Sequence, residues 1–359
     1  MVKAISSDNI VTQKTIQKTL LTAALQEGFW DRWIAHGIER EIIESNRTKL
    51  VTLNGFIEVF ENQAKFCFDL AENSIKNNEF EDAEKYYRLS ALYFNLIQWV
   101  FPEPSEEKLY WYDQSLLSFQ QADRVSNDKI EKHILQINEK IFVGRIRQPH
   151  HTLCGVIIII NPIDSTKEEL YTYEHDFAKA NFGVVSFDGP GQGETLLKNK
   201  HKADKFTWTS FVKGIIEYAS FQFPALPIYL FGTSSGGAWA LEGAKHPLVS
   251  KTISVSPAPK HDIKMPDFFR ERMSNMLEKF ENGFLPELKE LQKVSNVLFF
   301  HGEQDVMVDK NDLLHLFKQI SNEKRFITYK NEGHCCNFKL PEVRQRTIKW
   351  LKGESIDGI

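Results

Sequence analysis

The chain has 359 residues, of which 42% are hydrophobic and 26% are charged, so it is long enough for two domains of ordinary globular composition. A formal net charge of −4, with basic residues scattered among acidic ones, argues against nucleic acid or an anionic membrane as a partner. The N-terminus lacks the apolar core of a secretory signal, and no apolar run is long enough to span a bilayer, so we expect a cytoplasmic protein. The cysteines show no metal-ligand spacing, which predicts free thiols and no metal site; they are Cys67, Cys154, Cys335 and Cys336.

Residues 1–130 are predicted to form a helical domain, because no convincing strand pattern interrupts them. Apolar residues recur at steps of three and four between Ala71 and Phe101, as on one face of a helix. A further helix is predicted after two prolines, with Ser105 as its N-cap. We expect this domain to act as a cap or lid on a catalytic domain at residues 131–359.

Beyond residue 130 the pattern changes to strands alternating with helices. The alternation of apolar and polar residues in His133–Ile146 predicts one or two antiparallel strands, and the wholly apolar GVIIII of Gly155–Ile160 predicts a strand buried on both faces. Helical stretches separate the other predicted strands, which are FGVVSFD, LPIYLFG, LVSKTISVSP, VSNVLFFHG and KRFITYKNEGH. This rhythm predicts an α/β fold with a mostly parallel central sheet, carrying a helical insertion at about residues 262–293.

The segment LFGTSSGGAW, Leu230–Trp239, lies at the end of a predicted strand and directly before a helix. A serine on a sharp strand-to-helix turn needs small residues two places before and two places after it. Those places hold Gly232 and Gly236 if Ser234 is the turn residue. Choosing Ser235 would put a β-branched threonine where room is least. We therefore expect Ser234 to be the nucleophile and Ser235 to contribute only its backbone N–H to an oxyanion hole, so that Ser235→Ala largely preserves activity.

An acid and a base follow the serine in the chain order of this architecture. Asp305 comes in the loop after the strand VLFFHG, and His334 follows the last predicted strand. Because the carboxyl ends of parallel strands meet at one edge of a sheet, these side chains can converge on Ser234 as general base and orienting acid.

Other residues compete for the same two roles. His301 precedes the acid and ends its strand, where a role in the turn is favoured. Asp309 follows the same strand as Asp305 and remains an alternative acid. The remaining candidates lack placement at a strand end and are more typical of surface or packing histidines; they are His150, His151 and His246.

Five blocks in order resemble one subgroup of the α/β hydrolases that has a helical N-terminal domain; they are NPIDSTKEE, SFDGPGQGE, GTSSGG, HGEQD and EGHCC. This subgroup includes FrsA-like esterases, dihydroxypseudooxynicotine hydrolase, and the polyketide-shortening hydrolases of fungal and bacterial pigment pathways. The resemblance implies an α/β-hydrolase fold with an all-helical cap, and it implies that two copies can pair as a homodimer.

The resemblance also implies a second oxyanion donor in the loop after GVIIII, namely the backbone N–H of Ile163. This chain has Asn161 and Pro162 where the family commonly has a glycine pair, and proline has no N–H to donate. The donor must therefore be Ile163 or Asp164. Asp164 and Ser165 can instead cap the helix that follows.

Two further features of the subgroup receive no chemical role here. Asp188–Gly193 is expected to be a tight turn that shapes the pocket wall. Some carbon–carbon hydrolases of the subgroup use an additional carboxylate downstream of the serine. In that region the sequence offers Lys260, His261 and Asp262 and no glutamate before Glu271, so the role is not assigned.

Three functions follow from these expectations. The first is hydrolysis of a C–C bond next to a ketone in an aromatic, polyketide-like substrate, by a retro-Claisen route through an acyl-enzyme. The second is ester hydrolysis, since the same triad serves both reactions. The third is a non-catalytic protein-binding module on a hydrolase scaffold. In the first two cases water is the second substrate, and neither an organic cofactor nor a metal is implied.

Overall fold

The computed structural model describes residues 10–259, 265 and 267–356. The chain divides into two compact units, one of Met1–Asn127 with Pro266–Asn275 and the other of Asp128–Met265 with Met276–Ile359. The helices are α1 (Ile10–Leu25), α2 (Asp31–His36), α3 (Arg40–Ser45), α4 (Leu53–Lys76), α5 (Phe80–Val100), α6 (Glu106–Val125), α7 (Tyr171–Lys179), α8 (Gly193–Leu197), α9 (Lys205–Gln222), α10 (Ser235–Gly243), α11 (Asp267–Met276), α12 (Lys310–Gln319) and α13 (Leu340–Leu351). The strands are β1 (Lys129–Ile137), β2 (Lys140–Gln148), β3 (Gly155–Ile160), β4 (Phe182–Phe187), β5 (Ile228–Thr233), β6 (Val249–Val255), β7 (Ser295–Gly302) and β8 (Asn322–Tyr329).

The first unit contains helices and no strand among its described residues, and its longest helices are α4, α5 and α6. Ser105 caps α6 as the sequence predicts, because its hydroxyl accepts a hydrogen bond from the Lys108 N–H at 3.1 Å. The stretch Ala71–Phe101 is not one helix. Asn78, with a φ of 61°, breaks it into the end of α4 and the whole of α5.

Part of the segment that follows β6 belongs to this helical unit. Arg272 of α11 is fully buried there and donates to the backbone carbonyl of Val100 at 3.2 Å and to that of Trp99. Its guanidinium also lies over the Trp99 ring, 3.9 Å from the centroid. Arg272 therefore satisfies carbonyls that the C-terminal end of α5 leaves without intrahelical partners.

The aromatic side chains of the helical unit largely contact one another. Phe56 and Phe60 meet edge to face with centroids 4.8 Å apart, and the rings of Trp33 and Trp99 are 5.6 Å apart. All four side chains are buried. The apolar area of these rings is therefore used in the unit's own core.

The second unit contains one eight-stranded sheet in the order β1-β2-β4-β3-β5-β6-β7-β8. β1 and β2 form an antiparallel hairpin, β2 pairs with β4 antiparallel, and every later pairing is parallel. This confirms the predicted mostly parallel sheet. Every residue of β3, β4 and β5 is buried, as expected for strands covered on both faces.

The register of the central strands brings their carboxyl ends to one edge. Ile160 at the end of β3 pairs with Gly232, and Thr233 at the end of β5 pairs with Val255. The loops that begin after these strands therefore start side by side, which is where open α/β sheets place their ligands. Among the helices described, none has both the length and the apolarity needed to cross a bilayer.

Candidate active site

Ser234 lies on the sharp turn between β5 and α10. Its φ of 53° and ψ of −123° put a non-glycine residue in a sparsely populated backbone region, and its N–H donates to the Val255 carbonyl at 2.9 Å. A Cβ at Gly232 would lie 2.2 Å from the Gly236 carbonyl oxygen, and one at Gly236 would lie 2.0 Å from that of Ile160. The turn is therefore closed tightly enough to require glycine on both sides of Ser234.

We expect Gly236→Ala to lower the free energy of unfolding by about 1–3 kcal/mol, the usual cost of forcing a methyl group into a well-packed site. The added carbon would meet backbone of β3, which cannot rotate aside as a side chain can. Denaturant unfolding measures the change. Gly333→Ala is the control, because nothing lies within 4 Å of a Cβ built there. Equal stability of the two variants would contradict this account of the turn.

A continuous chain of hydrogen bonds joins the three residues singled out as a triad. The Ser234 hydroxyl lies 2.9 Å from His334 Nε2, and His334 Nδ1 lies 2.8 Å from Asp305 Oδ2. Ser234 follows β5, Asp305 follows β7 and His334 follows β8, so the site depends on three loops at one edge of the sheet. This geometry lets the imidazole take the serine proton while the carboxylate stabilises the resulting cation.

The Asp305 carboxylate is fully buried and is held from two directions. Its Oδ1 accepts hydrogen bonds from the N–H groups of Met307 at 2.9 Å and Val308 at 3.0 Å, while Oδ2 faces His334. Burial by itself raises the pKa of Asp305. The His334 ring and these two N–H groups lower the pKa by more than burial raises it, so the carboxyl stays ionised.

The pKa of His334 is raised well above its ordinary value of 6.5. Burial disfavours the charged ring, but the neighbouring Cys335 side chain and the Asp305 carboxylate favour it more strongly. A general base must be neutral to accept a proton, so activity should fall as the pH drops through this raised pKa.

We therefore expect the acid limb of kcat/KM to have its midpoint above pH 6.5. Cys335→Ala should move the midpoint to lower pH, because it removes a side chain whose hydrogen bond favours the charged ring. Cys154→Ala, at an exposed free cysteine, is the control and should leave the profile unchanged. A wild-type midpoint at or below 6.5 would show that the environment of His334 has been misjudged.

The two predicted oxyanion residues are in contact, in a way that the sequence did not suggest. The Ile163 N–H donates a hydrogen bond to the Ser235 hydroxyl oxygen at 2.9 Å, and both residues are buried. Ser235 is the first residue of α10, directly after the turn, as expected. The Ser235 side chain, to which the sequence assigns no role, is therefore the hydrogen-bond acceptor of the Ile163 N–H.

Gln192 fixes the loop that carries Ile163. Its amide nitrogen donates to the carbonyls of Asn161 at 3.1 Å and Pro162 at 2.6 Å, and its amide oxygen accepts the Gly189 N–H at 2.7 Å. The expected turn in Asp188–Gly193 thus braces the neighbouring loop through a buried side chain.

A buried ionic cluster joins two of the sequence blocks. The Lys167 ammonium contacts Glu168 and Asp188 at 2.7 Å each and Glu194 at 3.0 Å. Burial disfavours its charge, but the three carboxylates outweigh burial and raise the pKa of Lys167. This cluster was not predicted from the sequence. The lysine of NPIDSTKEE and the acidic residues of SFDGPGQGE were the only indication that these two blocks could form ion pairs.

The expectation that Asp164 or Ser165 caps the following helix is wrong. α7 begins at Tyr171, and its N-cap residue makes no side-chain hydrogen bond to it. The Ser165 hydroxyl instead donates to Glu169 at 2.8 Å. The segment between β3 and α7 remains non-helical because its side chains are used in buried polar contacts.

The rival candidates are not members of the hydrogen-bond chain through His334. His301 is buried with Nδ1 3.7 Å from Asp305 Oδ2, and burial lowers its pKa. Asp309 caps α12 by accepting the Asn311 N–H at 2.7 Å. His150 and His151 are exposed.

His246 has another partner in the structure, because its Nε2 lies 3.8 Å from Glu217 Oε1. Lys260, His261 and Asp262 fall outside the described residues. Glu271 lies in the helical unit, where it accepts hydrogen bonds from Thr15 and Lys18. Within the described residues, no three His, Cys, Asp or Glu side chains are grouped so as to hold a metal ion.

Part of the chain is similar in sequence to known proteins. Residues 154–296 match the family model described as serine aminopeptidase, S33. The chain is 27% identical over 215 residues to the α/β hydrolase ucsC of an Acremonium species, which is 53% of this chain and 42% of that protein. It is 33% identical over 147 residues to the 20-hydroxy-prefusarin hydrolase of Gibberella moniliformis, covering 38% of this chain and 33% of that protein. The match thus spans less than half the length of each of these relatives.

Among solved structures, 2,6-dihydroxy-pseudo-oxynicotine hydrolase superposes with a TM-score of 0.77 at 19% identity, covering 92% of this chain and 98% of the other. At that identity the likeness concerns the fold, and it includes the helical N-terminal region as well as the sheet. Together with the sheet order and the partial family match, it shows an α/β-hydrolase fold preceded by a helical region.

Proposed function

We propose that the chain is a serine hydrolase that works through a covalent acyl-enzyme, with Ser234 as nucleophile, His334 as general base and Asp305 as the acid that orients it. The observation that carries this proposal is the hydrogen-bond chain of 2.9 Å and 2.8 Å through the two imidazole nitrogens. Nε2 faces the serine hydroxyl and Nδ1 faces the carboxylate, as proton transfer from the serine to the imidazole requires.

The reaction then runs in two halves. Ser234 Oγ adds to the substrate carbonyl and its proton passes to His334 Nε2, giving a tetrahedral oxyanion. His334 returns the proton to the departing group as the carbonyl re-forms, which leaves the acyl group on Ser234. Water repeats the cycle with His334 as base and releases the acid.

For the bond that breaks, we propose a C–C bond next to a ketone in an aromatic, polyketide-like substrate. In this retro-Claisen step the departing group is a carbanion stabilised as an enolate or by an aromatic ring, and His334 protonates it. Support comes from the relatives, one of which is named a 20-hydroxy-prefusarin hydrolase, and from the five blocks that resemble polyketide-shortening hydrolases.

Ester hydrolysis is the second candidate. The triad serves it equally well, because both reactions pass through the same oxyanion and differ only in the departing atom. Four aromatic residues of the helical unit (Trp33, Phe56, Phe60 and Trp99) pack in that unit's own core, so they offer no support for stacking against a flat substrate.

The first test is labelling with a fluorophosphonate probe, followed by peptide mass spectrometry. Modification of Ser234 is the expected result. Absence of labelling in folded protein would overturn the proposal and favour the protein-binding alternative.

The second test compares two acetyl donors, para-nitrophenyl acetate and an acetylated trihydroxybenzene whose ring carbon is the departing atom. Both should leave one acetyl group on Ser234. A higher kcat/KM for the aryl ketone supports C–C cleavage, whereas activity on the ester alone would favour the esterase.

A further inference from the structure

The two adjacent serines have different side-chain contacts. Ser234 Oγ faces His334, whereas Ser235 Oγ accepts the Ile163 N–H at 2.9 Å. An N–H group has one hydrogen, so while this contact exists Ile163 does not donate to anything else at full strength. The second oxyanion donor expected from the family resemblance is therefore already used by a side chain of this protein.

The proton of the Ser235 hydroxyl is still available. A hydroxyl can donate one hydrogen bond while it accepts others, and Ser235 accepts from Ile163. Within the part of the chain that the structure describes, no acceptor for the Ser235 O–H is found. Only 5% of the residue is exposed, so a donor without a partner there is costly unless a ligand supplies the acceptor.

We propose that the Ser235 hydroxyl is itself an oxyanion donor, which connects the Ile163 N–H to the substrate oxygen. This inference depends on the proposed hydrolase function. The Ile163 N–H donates to Ser235 Oγ, and the Ser235 O–H donates to the oxyanion that forms when Ser234 attacks. No proton is transferred along this chain. Each donor polarises the next, so the negative charge is stabilised by a hydroxyl that is oriented before the reaction.

The surrounding loop supports this arrangement. Pro162 has no N–H, so the residue directly before Ile163 cannot act as a donor. Gln192 holds the carbonyls of Asn161 and Pro162, which fixes the direction of the next N–H in the chain. With Ile163 held in place, Ser235 Oγ has its acceptor side occupied and its donor side available.

We call the hydrogen bonds from the Ile163 N–H to Ser235 Oγ and from the Ser235 O–H to the oxyanion the relay. The test is Ser235→Ala, because the relay and direct donation by Ile163 to the oxyanion predict opposite results. The relay predicts that kcat falls by about 10²-fold, the scale of losing one oxyanion donor, with KM nearly unchanged. If Ile163 were the direct donor, the substitution would free its N–H, and activity would be kept or increased. That second outcome would overturn the relay.

A trifluoromethyl ketone provides a readout that a structural role would not change, because it forms a tetrahedral oxyanion adduct with Ser234. Its affinity for Ser235→Ala should fall by the same factor as kcat/KM. Tm should also fall, because the buried Ile163 N–H loses its acceptor, so the inhibitor is compared on protein that is still folded. Ser235→Thr keeps the hydroxyl and should restore part of both quantities. A loss of kcat in Ser235→Ala with unchanged affinity for this inhibitor would contradict the relay.

Ser254→Ala is the matched control. It also removes a buried hydroxyl beside α10, one that donates to the Gly237 carbonyl at 2.9 Å, and it should leave inhibitor affinity unchanged. Failure of the relay can be distinguished from failure of the hydrolase proposal. Wild-type protein that does not react with fluorophosphonate at Ser234 contradicts the hydrolase proposal. Wild-type protein that reacts, together with a Ser235→Ala variant of full activity, contradicts the relay alone.

Discussion

Ser234→Ala is expected to lower kcat by about 10⁴–10⁶-fold, as loss of the nucleophile does in other serine triads. In the proposed mechanism the Ser234 oxygen, 2.9 Å from His334 Nε2, forms the covalent bond, and no other hydroxyl in the described chain has this contact. The substitution removes one oxygen and leaves the backbone of the turn unchanged. Steady-state kinetics on either acetyl donor measures the loss.

The fold should tolerate this change. Alanine faces the same φ of 53° as serine, so the strain of the turn is neither relieved nor increased, and Tm should stay close to that of the wild type. Fluorophosphonate labelling should disappear together with turnover. Residual activity within tenfold of the wild type would mean that Ser234 is not the nucleophile, and an equal loss in Ser235→Ala would undo the distinction between the two serines.

Asp305→Asn is expected to lower kcat by about 10⁴-fold, the effect seen when a triad acid becomes an amide. The carboxylate uses Oδ1 for the N–H groups of Met307 and Val308 and Oδ2 for His334. An asparagine has only one oxygen, so it can satisfy only one of these two sets. If the oxygen stays with the backbone pair, the amide NH₂ group faces His334 Nδ1.

That orientation selects the wrong tautomer of the imidazole. Nδ1 must then accept rather than donate, the proton moves to Nε2, and the ring can no longer take the proton of Ser234. Asp309→Asn is the control, because asparagine is as good an N-cap as aspartate and Asp309 caps α12. A larger loss from Asp309→Asn than from Asp305→Asn would show that the acid has been misassigned.

Local patterns were enough to predict the elements that make the site. The wholly apolar run at β3 follows from burial of both faces of that strand, and the alternation at β1 follows from partial burial of one face, whereas β2 is buried from Phe142 to Arg147 without alternation. The cap at Ser105 follows from a hydroxyl that satisfies a free N–H at a helix start. Glycines at fixed distances from Ser234 indicated a closed turn, and the structure gives the contacts that exclude a Cβ there.

Contacts between distant parts of the chain could not be predicted in this way. The pairing of Lys167 with Asp188 and Glu194 depends on two loops that meet only because β3 and β4 are neighbours. The buried contacts between these two loops also explain why α7 starts at Tyr171, later than its sequence suggests. The assignment of α11 to the helical unit likewise depends on Arg272 reaching the end of α5.

The amino-acid sequence by itself determined the α/β alternation. It also led to the proposed order of nucleophile, acid and base and to the proposal of Ser234 over Ser235, because these depend on neighbouring residues and on steric room at one turn. Only the tertiary structure decided which side chains meet. Hydrogen bonds such as that between Ile163 and Ser235 join residues 72 positions apart, and their geometry is set by the packing of the sheet rather than by any local pattern.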